Sequence, residues 1–304
     1  MIRVVIGGAR HVHLEDAVRV VGRRSDVEVV GVVDSDEECA RRWAERFGAP
    51  AFGDWASVLA AEPGACLVYS ETSLHEAYVE AAAAAGVAVF VEKPLAVEPV
   101  AARRVAAHLD PRAQVGFFLR YCPAIRSLVR LVRDDALGGV GSVSARFVHD
   151  GWSDGRFDGE YRWMAAPAEG GGGFFDLAVH CLDLLELVGG VIQRVERVDL
   201  AGAHHGTASV HLARGATGRI EAGWEGETLG IELEVCGDRR RARVCGGELL
   251  VDGERVLEGP PPAAGDAIDV FFDRLAGRTT HERVDPATAV RNCEAIDRLR
   301  RARC

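Results

Sequence analysis

Lysine is almost missing from this sequence. Of the 36 cationic side chains in 304 residues only Lys93 is a lysine; every other one is arginine. Arginine is a planar cation that stays charged, whereas the lysine ammonium is a compact point charge whose pKa moves on burial and which can give up a proton. A composition that has exchanged lysine for arginine everywhere else, yet keeps Lys93, marks that position for chemistry. Long apolar runs are also lacking. The longest, Ala81 to Val91, is interrupted by Gly86 and ends at Glu92, well short of the ~20 residues of a membrane helix. No basic start followed by an apolar stretch and a small-residue cleavage site is present, and a cytoplasmic protein is expected. The eight cysteines (Cys39, Cys66, Cys122, Cys181, Cys236, Cys245, Cys293 and Cys304) contain no C-x-x-C pair, so free thiols are expected, with neither a disulfide framework nor a zinc site. Positive charge is short as well: a net charge of −10 repels a phosphate backbone and argues against nucleic acid as a partner.

What is present is ordinary globular material, 48% hydrophobic and 27% charged, long enough for about two domains. The first 118 residues alternate β-rich runs with helical spacing. Ile2 to Ile6, Val27 to Val33, Ala65 to Tyr69, Val87 to Val91 and Gln114 to Phe118 read as strands; Leu14 to Arg23, Asp36 to Phe47, Leu74 to Ala85 and Val97 to His108 read as helices. The strands are continuous Val/Ile/Ala runs, as expected when helices cover both faces of a parallel sheet. After a helix at Ala124 to Asp135 the period changes. Ser142 to His149, Ile192 to Leu200, Ala208 to Leu212, Gly218 to Trp224, Ile231 to Cys236 and Arg241 to Cys245 mostly alternate apolar with polar residues, the pattern of an antiparallel sheet with one face in the core. Helices at Ala267 to Ala276 and Pro286 to Arg301 follow. The predicted architecture is an α/β protein: a doubly wound, Rossmann-like nucleotide-binding domain over residues 1–118, then an α+β domain over 119–304.

The first strand runs into Gly7-Gly8-Ala9-Arg10-His11-Val12-His13, where a dinucleotide fold places G-x-G-x-x-G. Only the first glycine fits. The next strand ends at Asp34, near the ~20-residue offset at which a carboxylate takes the ribose hydroxyls of NAD and repels the 2′-phosphate of NADP. His11 and His13 lie two apart, but two candidate ligands without a third are insufficient for a metal site, and no metal is expected.

Glu92-Lys93-Pro94 falls at the carboxyl end of a strand, the edge at which open α/β sheets bind ligands. Gly170-Gly171-Gly172-Gly173 opens a helix on which Asp176, His180 and Asp183 are spaced i, i+4, i+7 and share a face, while their neighbours from Phe174 to Leu185 are apolar. A narrow polar stripe on an apolar helix is expected to line a polar cleft. Histidine can take a proton from an alcohol or return it to a ketone, with a carboxylate orienting its ring.

These segments together resemble the glucose–fructose oxidoreductase/inositol dehydrogenase (Gfo/Idh/MocA) family. Its carriers are Asp34, Ser70-Glu71-Thr72 with His75, Glu92-Lys93-Pro94, Arg120-Tyr121 with Pro123, and the Gly170 to Asp183 block. The resemblance implies a second domain built on a large, open, mostly antiparallel sheet whose outer face commonly makes homodimers or homotetramers. It implies nicotinamide chemistry on a hydroxyl or keto carbon of a sugar, cyclitol or related polyol. Lys93, Asp176 and His180 would be catalytic. Gly7, Gly8, Ala9, Arg10, His11, Asp34, Ser35, Ser70, Glu71, His75, Glu92 and Lys93 would bind NAD, with NADP disfavoured. Lys93, Arg120, Tyr121, Asp176, His180 and Asp183 would meet the substrate. Two alternatives within the same fold are an NAD-dependent glycosidase and a non-enzymatic nucleotide- or sugar-sensing regulator. Two departures stand out: the missing glycines, and Glu71 where the family usually has proline.

Overall fold

The computed structural model describes residues 1–166, 168–226, 229–279 and 281–302; Cys304 falls outside them. In chain order the elements are β1 (Ile2–Gly7), α1 (Leu14–Gly22), β2 (Val27–Val33), α2 (Glu37–Phe47), β3 (Ala51–Phe52), α3 (Trp55–Leu59), β4 (Ala65–Val68), α4 (His75–Ala84), β5 (Ala88–Val91), α5 (Pro99–His108) and β6 (Gln114–Val115). They continue with α6 (Pro123–Arg133), β7 (Val140–Val148), α7 (Gly173–Gly189), β8 (Ile192–Leu200), β9 (His205–Leu212), β10 (Thr217–Gly223), β11 (Gly230–Gly237), β12 (Arg241–Cys245), β13 (Glu248–Val251), β14 (Glu254–Glu258), α8 (Gly265–Leu275) and α9 (Pro286–Arg301). No helix among the described residues is long and apolar enough to cross a membrane.

The chain divides into two compact units, one of residues 1–117, 168–170 and 264–290, the other of 118–167, 171–263 and 291–304. The sequence reading has a single boundary after residue 118 and does not return the chain to its first unit. Apolar burial holds the return: α8 packs on α1 and encloses Ile268, Phe271 and Phe272 completely, while Asp269 and Asp273 meet Arg24 at 3.1 and 2.8 Å. An amphipathic helix carries no mark in its own sequence of the distant helix it will cover.

In the first unit six strands form a parallel sheet in the order β3-β2-β1-β4-β5-β6. Val4, Val5, Ile6, Leu67, Val68, Phe90 and Val91 are all buried, as continuous apolar strands must be when helices cover both faces. Strand order reverses between β1 and β4, so their carboxyl ends border the crevice where such sheets bind ligands. Helix starts are set locally. Asp36 caps α2 by accepting from the Glu38 and Cys39 amides, both at 3.0 Å, and Gly48 closes it in the left-handed conformation at φ 65°. The two-residue β3 and five-residue α3 are too short to show a period, and neither is legible in the sequence.

The second unit is an eight-stranded sheet in the order β14-β13-β12-β11-β7-β10-β9-β8, antiparallel except for the β7/β10 pair. β13 and β14 extend it beyond Cys245, where the sequence reading stops. Strict alternation of burial along β9 and β12 gives one apolar face, which α7 covers over β7, β9 and β10. The opposite face is charged, with Glu221 between Arg146 at 3.4 Å and His205 at 3.3 Å. Close packing of helix on sheet depends on Gly218, where a Cβ would come within 2.9 Å of the Leu185 side chain.

Candidate functional site

The candidate site residues of the first unit gather where β1, β2, β4 and β5 end. Gly8 follows β1 in the left-handed region at φ +72°, and a Cβ there would come within 2.4 Å of Ser70 Cβ; only glycine lets the two chain segments approach so closely. Ala9, at the position of the second expected glycine, is fully buried. Its amide donates to Asp34 Oδ2 at 2.8 Å, and the Asp36 amide donates to Asp34 Oδ1 at 2.9 Å. Asp34 therefore ties the turn after β1 to the end of β2, which supplies by side chain part of the order that the missing glycines would supply by close approach. The Cys39 thiol donates to the Ala9 carbonyl at 3.0 Å. Burial, followed by the charge of Asp34, pushes its pKa up to about 11, so it stays a thiol. All seven cysteines among the described residues are free.

Arg10 lies between two carboxylates, 2.6 Å from Asp36 and 3.8 Å from Glu71. This accounts for the acidic residue at position 71. Partial burial raises the Glu71 carboxyl above its ordinary value, and Arg10 opposes the rise. Ser35 is exposed at the end of β2. Ser70 is buried, and its hydroxyl donates to the Glu71 carbonyl at 3.1 Å. His75 is only 1% exposed; its Nδ1 lies 3.2 Å from the Leu95 carbonyl, so the ring braces the segment that follows Lys93-Pro94.

Glu92 and Lys93 follow β5 directly, and both are buried. The Glu92 carboxylate accepts from the main-chain amide of Lys93 at 3.1 Å and faces His13 Nδ1 at 3.1 Å. The phosphate turn and the Glu-Lys-Pro turn are thus joined through His13, a contact spanning 79 positions that no local motif announces. A dinucleotide fits this set: a glycine turn at the strand-order reversal, a carboxylate held at the end of β2, and a lysine at the end of β5.

The second unit contributes α7. Gly171 and Gly172 lie at φ +94° and +90°. Gly173 begins the helix where a Cβ would sit 2.9 Å from the Trp224 ring. That closeness brings the Trp224 indole N–H to Asp176 Oδ2 at 3.0 Å. The His180 ring lies between Phe118 and Phe147, with ring centroids 5.0 and 5.4 Å away. Asp183 takes Arg120 in a two-pronged pair, both contacts at 2.6 Å, and Asn292 Nδ2 at 3.0 Å. Tyr121 is buried beside Arg120.

The polar stripe expected to line a cleft is almost entirely enclosed: Asp176, His180 and Asp183 are 6%, 1% and 1% exposed. A buried carboxylate must be hydrogen-bonded or paired, and here Trp224, Arg120 and Asn292 meet that need. Arg120 and Asp183 were each expected to meet substrate, and they are one another's partner. Trp224 and Asn292 escaped the sequence reading because they lie 48 and 109 positions from the carboxylates they serve.

Residues 2–118 match the model of an oxidoreductase family with an NAD-binding Rossmann fold, and residues 125–243 match the GFO/IDH/MocA C-terminal domain. Among curated relatives, trans-1,2-dihydrobenzene-1,2-diol dehydrogenase of Sus scrofa is 29% identical over 261 residues, 79% of this chain and 74% of that protein. Inositol 2-dehydrogenase of Burkholderia cenocepacia (strain HI2424) is 38% identical over 121 residues, 38% of this chain and 36% of that one. Among solved structures, levoglucosan dehydrogenase in complex with NADH superposes with a TM-score of 0.82 at 19% identity, covering 99% of this chain and 96% of the other. GenD2 from gentamicin A biosynthesis, in complex with NAD, gives 0.79 at 24%, covering 99% and 93%; both show likeness of fold. With both of the family's domains matched in sequence, and its Glu-Lys-Pro turn and Asp-x-x-x-His helix carried on a parallel and a mostly antiparallel sheet, the chain belongs to the Gfo/Idh/MocA oxidoreductases.

Proposed function

We propose that this oxidoreductase moves a hydride between a carbinol carbon of a small polyol, cyclitol or sugar-like diol and NAD. The observation that carries the reading is the join between the two turns of the first unit: Glu92 connects through His13 to the dinucleotide turn and accepts from the main chain of Lys93. This puts the molecule's single lysine one residue from a group already anchored to the nucleotide turn.

NAD, when bound, accepts the hydride. Lys93 stabilises the oxygen that becomes a carbonyl. His180 takes the hydroxyl proton as the C–H bond breaks and returns it in the reverse direction. Asp176, held by the Trp224 indole, orients the histidine. Arg120 and Asp183 form a rigid wall near the substrate. The charges around the turn favour NAD over NADP. Asp34, Asp36 and Glu71 outnumber the nearby cations Arg10 and Arg42, and Arg10 is engaged by two of the carboxylates, so a 2′-phosphate would meet net repulsion. The diol class rests on the dihydrodiol and inositol dehydrogenases among the relatives.

The test is a panel of trans-dihydrodiols, inositols and anhydrosugars, with reduced nicotinamide followed by absorbance. Turnover of at least one member is expected. Lys93→Met and His180→Ala should each lower kcat by about 10²- to 10⁴-fold, while NAD binding, followed by fluorescence, persists. Unchanged turnover in both variants would remove the assignment of these residues.

A further inference from the structure

A third candidate ligand joins the histidine pair of the phosphate turn. His11, His13 and Glu92 each offer one ligating atom, and these atoms all lie within 4.8 Å of one another. His11 and Glu92 are buried, while the His13 side chain is 20% exposed, so the cluster has one open side. His11 Nδ1 accepts the His13 amide at 3.2 Å, a hydrogen bond that a metal bound through this nitrogen would displace. His13 Nδ1 faces the Glu92 carboxylate at 3.1 Å.

A second observation points the same way. The Tyr69 hydroxyl is fully buried and has no hydrogen-bond partner among the described residues. The Tyr69 ring centroid lies 6.1 Å from that of His11. Buried hydroxyls are rarely left unsatisfied, and a water on a bound cation would meet this one.

We propose that His11, His13 and Glu92 form a binding site for a divalent transition metal, Zn²⁺ or an ion of similar preference. Two imidazoles and one carboxylate are the protein ligands of open zinc sites, which keep a fourth position for water. Nitrogen-rich sets of this kind select Zn²⁺, Co²⁺ or Ni²⁺ over Mg²⁺ and Ca²⁺, which prefer oxygen. His13 immediately precedes α1, whose amino-terminal dipole disfavours a cation; the negative charge of Glu92 opposes it. A bound ion would clamp the turn after β1 to the residue preceding Lys93. The site shares the His13–Glu92 contact with the dehydrogenase reading, and the two are tested by separate readouts.

The experiment titrates the chelator-treated full chain with Co²⁺ alone and reads visible d–d absorption. One saturable Co²⁺ per chain, displaced by Zn²⁺, is expected. His11→Ala and His13→Gln should each weaken binding by ~100-fold or more, whereas His211→Ala, in the other unit, should leave it unchanged. Glutamine at position 13 keeps a donor for Glu92, and circular dichroism checks that the variant folds. Absence of a one-to-one phase in the wild type, or unchanged affinity in a folded His13→Gln protein, would overturn the site. NAD binding, measured separately by fluorescence, reports on the functional reading without bearing on the metal.

Discussion

The two units hold their candidate site residues by different physical means. In the first, Asp34, Glu92 and Lys93 stand in turns at the ends of short strands, and the strands themselves are plain hydrocarbon. In the second, Asp176, His180 and Asp183 lie within a 17-residue helix that is buried nearly all round. At strand ends main-chain amides supply the donors: Asp36 and, from the turn after β1, Ala9 for Asp34, and Lys93 for Glu92. A helix has already used its main-chain groups internally, so each buried carboxylate on it needs a side-chain partner from elsewhere. The lesson is that polar groups on these turns are held largely by main-chain amides, whereas those on the buried helix are held by side chains from distant segments.

The sharpest way to break this contrast is to remove a distant partner from the helix. Asp183→Ala should leave Arg120 mostly buried without its counter-ion and destabilise the chain by about 3–5 kcal/mol, read as a lowered midpoint in urea. If the loss were only that of a surface pair, Arg120 would have another acceptor, and the helix would be less dependent on remote contacts than the contrast asserts.

The next effect concerns His75, on the turn side. Burial lowers its pKa from 6.5 to about 4. In the pH window between those values the unfolded chain binds a proton that the folded chain refuses. Stability is therefore full above pH 6.5 and falls as pH drops toward 4, by on the order of 3 kcal/mol. Urea unfolding across this range should show the slope, and His75→Gln should flatten it. An equal slope in the variant would transfer the effect to another group.

A smaller change is expected at Asp176. Trp224→Phe keeps most of the apolar volume and deletes one donor, costing about 1–3 kcal/mol in stability. If Asp176 orients His180, the same variant should also move the pH profile of kcat, a readout that loss of packing alone would not produce. The smallest effect belongs to the exposed Arg3–Glu28 pair, 3.1 Å apart. Glu28→Gln should change the unfolding midpoint by less than about 1 kcal/mol equivalent, a baseline against which the buried pairs can be judged.

Most of this fold is readable one element at a time. β2, β12 and α9 begin and end where their residue patterns predict, because continuous apolar runs, alternation and a proline at the first helical turn are local signals. β13 and β14, beyond Cys245, escape that reading because Leu249-Leu250-Val251 is a continuous apolar run and β14 is mostly exposed, so neither alternates in sequence as the equally short β12 does. The return of α8 to the first unit was missed for another reason: its apolar face says that it must pack, and nothing in it says against what.

The sequence by itself determined the alternating βα order of the first unit, the single lysine after β5 and the i, i+4, i+7 spacing on α7, since each depends on neighbours a few positions apart. Tertiary structure decided that His13 meets Glu92, that Trp224 holds Asp176 and that Arg120 and Asn292 enclose Asp183. Those pairings arise because burial strips water from a polar group and forces it to find a replacement, and the replacement comes from whichever distant segment the packed sheets bring within reach.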